Sequence, residues 1–417
     1  MFQGLVLHGP TPFLFFRTYH PMAKKDIHSL QNIQGKKVLV RVDFNVPQDE
    51  HGNITNDRRI RGAIPTIKAL LEKGAAVIAM SHLGRPKGDP VKDAPFKMDK
   101  VAKRLGELLN KSVHKVDSII GQDAKDAAAN LKAGEILVLE NVRFHPGEQA
   151  ADAAFAKELA SLGDIYVNDA FGTCHRKDSS MHGVPAALKG KPRVVGTLVA
   201  KELAILEQLF SNPSRPMLGI LGGGKVSDKI KFIKALLSKV DKVIIGGAMT
   251  YTFMKAQGKS IGNSRVEADK LDIARELLEL GKGKIQLPVD HLAVQKLDAP
   301  EGAKVFEGEI PEGWIGIDIG PKTIELYCAE VAKSATILWN GPLGKFEDEP
   351  YSKGTKAIAN TMAASKGVTV VGGGETAEAV EEFGLAEKMT HVSTGGGAFL
   401  EYVEGTPFAA LDEIDDK

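Results

Sequence analysis

Lys36–Pro47 reads KKVLVRVDFNVP. An apolar strand (Val38, Leu39, Val40, Val42) ends in Arg41, Asp43 and Asn45. Open α/β sheets bind ligands just beyond the carboxyl ends of their strands. Polar residues at alternate positions of such a strand project from one face. Asp43 and Asn45 can accept hydrogen bonds from sugar-like or glycerate-like hydroxyls, and Arg41 can pair with Asp43 or hold an anion. The plainer reading is a strand entering a turn at Asn45–Pro47, and the rest of the chain decides between the two.

Outward from this stretch, short apolar runs alternate with amphipathic segments. Strands are expected at 37–43, 75–80, 135–139, 164–168, 217–221, 242–246, 335–339, 367–371 and 390–393. Helices are expected at 62–73, 98–109, 153–162, 228–238 and 267–280. Such alternation predicts an α/β fold of two Rossmann-like domains, each a parallel sheet with helices on both faces. The segment 196–211, GTLVAKELAILEQLFS, reads as one helix between the halves, and the breaker-rich NPSRP follows it. The expected division is therefore an N-terminal extension at 1–21, a first domain at 22–195, the joining helix at 196–211, a second domain at 212–394 and a C-terminal segment at 395–417. The extension contains Pro10 and Pro12 and lacks a basic start or a small-residue cleavage site, which makes it a poor secretory signal.

Composition narrows the function class. The 417 residues carry a formal net charge of +1, so no global field favours nucleic acid or a membrane. Two cysteines in no metal-ligand spacing exclude a disulfide scaffold and suit a reducing cytoplasm. Nine of the thirteen arginines lie between Arg41 and Arg193, whereas the clusters Gly222–Gly224, Gly372–Gly374 and Gly395–Gly397 all come later. Arginine forks suit carboxylate and phosphate oxygens; glycine turns after strands let backbone approach nucleotide phosphates. The halves look specialised, with an anion site first and a nucleotide site second.

Four segments of the first half deliver arginine at a helix start or a strand end: ITNDRRIR with Arg58 and Arg59, MSHLGRP with His82 and Arg85, ENVRFHP with Arg143, and VNDAFGTCHR with Arg176. Parallel strands put such ends on one edge, and a small ligand with a carboxylate and phosphates accounts for that density of forked donors. In the second half, GILGGGK (219–225) has the GxxxxGK spacing, but Val226 stands where a P-loop needs Ser or Thr. Lys225 and Lys229 share a helix face. VVGGGETA fits GxGxxA from Gly372 to Ala377, yet the next strand ends in HVST with no acid, against a nicotinamide-cofactor enzyme. A phosphate on the helix N-terminus near Thr376, with Glu375 facing a cation, fits better. WNGPLGKFE offers Asn340 and Glu347 to a base or ribose.

Taken in order, RVDFNVP, MSHLGRP, ENVRFHP, VNDAFGTCHR, LGGGKVSDKI, WNGPLGKFE, GGGETAEAV and STGGGAFLEYVEG closely resemble the phosphoglycerate kinase family over residues 22–417. The resemblance implies Mg²⁺-dependent phosphoryl transfer between 1,3-bisphosphoglycerate and ADP, giving 3-phosphoglycerate and ATP, by a cytoplasmic monomer that binds neither nucleic acid nor membrane. It implies a substrate pocket of Asp43, Phe44, Asn45, Arg59, His82, Leu83, Gly84, Arg85, Arg143 and Arg176. Arg59 and Lys229 would steady the moving phosphoryl group, with Lys225 near the phosphates. Gly316, Asn340 and Glu347 would line the adenosine pocket. Gly373, Gly374 and Thr376 would cradle phosphates, Gly395 and Gly396 would add N–H groups, and Glu375 would hold the metal. The family's GGGDT is GGGET here, Ala248 replaces a glycine common in relatives, and residues 1–21 have no counterpart. The alternative is a catalytically silent nucleotide-binding relative of the same fold.

Overall fold

A computed structural model describes residues 24–417, so the extension at 1–21 lies outside the described residues. The apolar run that ends in Arg41 and Asp43 is β1 (Lys37–Val42), with every residue but Lys37 buried. With β2 (Ala76–Met80), β3 (His114–Lys115), β4 (Ile136–Val138), β5 (Ile165–Asp169) and β6 (Arg193–Val195) it forms a six-stranded parallel sheet, order β3-β4-β2-β1-β5-β6. From β1 the sheet grows one way through β2 and β4 and the other way through β5 and β6. Strand order therefore reverses beside β1, where open parallel sheets form a ligand crevice.

The second sheet repeats the plan with β7 (Met217–Leu221), β8 (Lys242–Ile245) and β9 (Ile285–Gln286). Between β9 and the rest of that sheet come β10 (Asp290–Val294), β11 (Lys304–Glu307) and β12 (Ile315–Ile319). The sheet is completed by β13 (Thr336–Asn340), β14 (Val368–Gly372) and β15 (His391–Val392), in the order β15-β14-β13-β7-β8-β9, again all parallel. Its reversal lies between β7 and β13. Strands β10 to β12 form a separate antiparallel sheet, which the alternation of apolar runs does not reveal. The reason is local: β11 is almost wholly exposed, and β12 (IGIDI) mixes glycine and aspartate into its apolar positions.

The helix Thr197–Ser211 joins the halves. Its start is held by Asp169 at the end of β5, whose Oδ1 accepts the Leu198 N–H at 3.0 Å. Burial raises the pKa of that carboxyl to about 7. Midway along, the fully buried Glu202 accepts hydrogen bonds from the Thr394 N–H at 2.8 Å and hydroxyl at 3.1 Å, and its other oxygen meets His391 Nε2 at 2.8 Å. The chain end returns to the first half: the Lys25 N–H donates to Asp415 O at 2.8 Å, and Arg193 pairs with the Asp415 carboxylate at 2.7 Å.

Because Glu202 serves three groups from inside the protein, truncation leaves them unsatisfied. We expect Glu202→Ala to lower unfolding stability by about 3 kcal/mol, read from urea unfolding midpoints. Glu202→Gln keeps an acceptor and should lose less; equal losses would contradict the hydrogen-bond account.

Candidate functional site

The end of β1 is tied to its neighbours through backbone and short polar groups. The Phe44 N–H donates to Ser81 Oγ at 2.8 Å, and Asn45 Oδ1 accepts the Gly84 N–H at 2.8 Å. Leu83 is clamped by Asn141, which accepts its N–H at 3.2 Å and donates to its carbonyl at 2.7 Å. The Asp43 carboxylate receives Arg59 Nη1 at 2.7 Å, so the first turn of the helix Arg58–Glu72 reaches the strand end. Gly172, after β5, leaves room here, since an added Cβ would sit 2.8 Å from Asp43 Oδ2.

Arg41 lies beneath this surface, fully buried. Its Nε donates to Ser180 Oγ at 2.7 Å, Nη1 donates to the Val42 carbonyl, and Nη2 meets His82 Nδ1 at 3.2 Å. Such a contact makes Nδ1 the acceptor and puts the proton of a neutral imidazole on Nε2. Neutrality follows from the surroundings. Burial, with Arg41, Arg143 and Arg176 nearby, pushes the His82 pKa well below its ordinary value, while Asp43 opposes. Burial by itself would raise the Asp43 pKa, but the Arg59 and Arg41 guanidinium groups and the Asn45 N–H hold it below the usual carboxylate value. Arg143 donates to the Gly84 carbonyl at 2.8 Å, yet its Nε is buried with no hydrogen-bond partner. Burial and the charge of Arg176 lower its pKa.

Asp43, Asn45, Arg59, His82, Gly84, Arg143 and Arg176 are thus brought together. Arg85, next in the chain to Gly84, is exposed and makes no hydrogen bond among the described residues. His145, flanking Arg143 in sequence, stacks on Phe155 at 4.0 Å and acts as packing.

In the second half, the reversal between β7 and β13 is filled by Lys229. Its Nζ donates to the Gly222 carbonyl at 2.7 Å and the Asn340 carbonyl at 3.1 Å. Burial pulls its pKa down to about 8 against the pull of Glu375 and Asp228. The loops approach so closely that a Cβ on Gly222 would lie 2.0 Å from the Pro342 carbonyl oxygen. Asn340 donates to the Gly372 carbonyl at 2.8 Å, and buried Thr376 accepts the Gly341 N–H at 2.6 Å. These two side chains therefore hold the strand-end loops together. Gly373, at φ +97, precedes the helix Gly374–Glu382, and Gly374 and Glu375 are exposed at its start.

Lys225 and Glu347 are exposed on the loops after β7 and β13. Gly316 lies on β12, where its N–H donates to Ser264 Oγ at 2.9 Å and a Cβ would strike the Tyr251 hydroxyl at 2.2 Å. Gly395 packs so closely that a Cβ would meet the Phe171 ring at 2.3 Å, and Gly396 has φ +47.

Glu267 was not legible from sequence. It accepts the Val226 N–H at 2.6 Å and the Ser227 N–H at 3.1 Å, which occupies donors that a P-loop would offer to phosphate. Ser180, the support of Arg41, lies in no motif, and Asn141, the support of Leu83, lies within ENVRFHP, where Arg143 alone drew the reading. The exposed Glu375 carboxylate has no hydrogen bond among the described residues. One carboxylate beside a phosphate site suits a Mg²⁺ ion that draws its other ligands from nucleotide and water. Among the described residues, the centre of the three-carboxylate grouping Asp99, Asp117 and Glu140 is instead taken by the Lys115 ammonium, 2.8 Å from Glu140 and 3.2 Å from Asp99.

Sequence and fold are shared with known proteins. The family model described as "Phosphoglycerate kinase" matches residues 27–406. The phosphoglycerate kinase of Rhodopirellula baltica is 53% identical over 399 residues, covering 95% of this chain and all of that protein. That of Fervidobacterium nodosum is 51% identical over 394 residues, covering 93% and 97%. Among solved structures, phosphoglycerate kinase from Coxiella burnetii superposes with a TM-score of 0.83 at 39% identity, covering 94% of this chain and 98% of that one. The Pyrococcus horikoshii enzyme gives 0.81 at 30% identity, covering 93% and 98%. With the family model matched along nearly the whole chain, and with relatives about half identical over more than nine-tenths of it, this chain belongs to the phosphoglycerate kinase family.

Proposed function

We propose that the pocket at the end of β1 holds 3-phosphoglycerate or 1,3-bisphosphoglycerate, and that the crevice between β7 and β13 holds ADP or ATP. The observation that carries this reading is the gathering of Arg59, Arg143 and Arg176 around a neutral His82 and an ionised Asp43. Cations so placed repel one another unless an anion joins them, and the unpartnered Arg143 Nε is a donor awaiting one. Asp43 and Asn45 offer acceptor oxygens to a hydroxyl, and His82 offers Nε2–H.

In the ATP-using direction the nucleophile is a substrate carboxylate, already ionised at neutral pH. No general base is needed, so catalysis rests on positioning and on balancing charge across the moving phosphoryl oxygens. Arg59 uses one nitrogen on Asp43 and keeps its remaining donors for those oxygens. Lys229 spends two N–H groups on carbonyls and keeps a third. Glu375 would hold Mg²⁺, which when bound to the nucleotide neutralises phosphate charge. Two half-sites on separate sheets require closure to bring donor and acceptor in line and to exclude water. The reading includes a cytoplasmic monomer; both cysteines are free, and no helix of the described residues is long and apolar enough to cross a membrane.

Three measurements test these roles. The chain should form ATP from 1,3-bisphosphoglycerate and ADP in a coupled assay, and Arg59→Ala should lower kcat by about 10²- to 10³-fold while calorimetry finds ADP affinity nearly unchanged. A retained kcat would remove Arg59 from the phosphoryl path. Free Lys229 loses its proton as pH rises through about 8, and the charged form is the one that binds phosphoryl oxygens. So kcat/KM for ADP should fall above that pH, and Lys229→Arg should flatten that limb. The same depression below the ordinary value of 10.5 means the unfolded chain holds the extra proton between the two values, so this group's effect on stability becomes more favourable as pH rises across that window. Finally, Glu375→Gln should raise the Mg²⁺ concentration giving half-maximal rate by about tenfold and leave 3-phosphoglycerate binding unchanged.

A further inference from the structure

Arg58 and Arg59 are consecutive residues at the start of one helix, and they serve different halves of the molecule. Arg59 turns to Asp43 in its own half. Arg58 reaches the second half: Nη1 lies 2.8 Å from Glu381 Oε1, and Nη2 donates to the Val392 carbonyl at 2.7 Å. Asn56 doubles the link. Its Nδ2 donates to Glu381 Oε2 at 3.2 Å, and its Oδ1 accepts the Arg58 N–H at 2.9 Å, which ties the same acid to the helix start. Glu381 lies on the helix Gly374–Glu382, six residues beyond Glu375 or about 9 Å along the axis. The contact flanks a cavity of about 680 Å³ between the halves, lined also by Lys201 of the joining helix and by His391 and Thr394, the partners of Glu202.

We propose that Arg58 is a positioning residue for phosphoryl transfer. Its pairing with Glu381 sets the placement of Arg59 relative to the helix whose first turn carries Gly374 and Glu375. The proposal rests on the roles given to those residues above. Two features separate this pair from an ordinary surface ion pair. All three cross-bonds connect the first half to the second, so the halves cannot part on this flank without breaking them. Both ends are also rigidly attached, one at a helix start and the other within a helix and a strand end. Arg58 and Glu381 remain more than a quarter exposed, so their contribution to overall stability is small. Their effect lies in geometry, to which an in-line transfer is far more sensitive.

The test uses the full chain with Arg58→Gln, Glu381→Gln, both together, and the charge swap R58E/E381R. We expect each single change to lower kcat by about 3- to 10-fold, with KM for either substrate within about twofold and Tm unchanged. The double change should lose no more than either single change. The swap should recover most of the loss, and small-angle scattering with both substrates should show a less compact complex for the single and double variants but not for the swap. Additive losses, a swap that recovers nothing, or losses that track Tm would overturn the proposal. If Arg59→Ala retains kcat, the underlying site reading fails; if it abolishes kcat and the swap still recovers nothing, only the role of Arg58 fails.

Discussion

A guanidinium with no exposed surface organises the first half. Removing an ion from water carries a penalty of several kcal/mol even after the protein relaxes. Arg41 meets it with bonds to Ser180 Oγ, the Val42 carbonyl and His82 Nδ1. Ser180 is in turn held by Glu148, its hydroxyl 2.6 Å from Oε1 and its N–H 2.9 Å from Oε2. This buried knot fixes the imidazole tautomer, adds positive potential under the pocket floor and helps keep Asp43 ionised. Arg41 therefore shapes the pocket from beneath while Arg59, Arg143 and Arg176 present donors to it.

On the proposed reading, the second half meets phosphate with less charge. Its crevice is narrow because glycine backbones touch, and Lys229 is sunk between two carbonyls. Burial brings that lysine close to losing its proton, so an arriving anion would both gain from its charge and strengthen it. The first half relies on fixed guanidinium groups that stay charged at any working pH; the second relies on an ammonium whose charge depends on what lies beside it. The division matches the early arginines and late glycines of the sequence.

The two crevices were legible because their signals are local. β1 announces itself by four apolar residues and by polar residues at alternate positions, and β2, β4 and β5 are each followed within a few residues by the histidine or arginine they bring to the first pocket. What stayed hidden depends on long-range contact. Glu202 is one acid within an amphipathic helix, and only the fold brings His391 and Thr394 to it across 189 and 192 residues. Glu267 takes the Val226 and Ser227 N–H groups just past GILGGGK, donors that a phosphate loop would leave free. The GxGxxA spacing is real, but in the structure Asn340 and Thr376 are engaged in bracing the loops around it. The antiparallel β10–β12 sheet escaped because its strands are too exposed or too mixed to read as apolar runs.

The joining helix explains how the halves can act as one site. Its first turn hangs on Asp169, at the end of the strand beside β1, and one turn later Glu202 grips the residues just after β15. Gly172, which gives Asp43 its space, is also close to the second half, because a Cβ there would lie 3.5 Å from the Thr394 carbonyl oxygen. A shift at the β1 pocket that moves the β5 end is felt at the start of this helix, and a shift at the β15 turn is felt at its middle. Buried carboxylates transmit such shifts because yielding would strip them of the partners they have inside the protein: Glu202 is bonded through both oxygens, and Asp169 through Oδ1 alone. Polar groups at Asp169 and Glu202 therefore do what an apolar hinge could not: they make the orientation of each half depend on the backbone beside the other's proposed pocket.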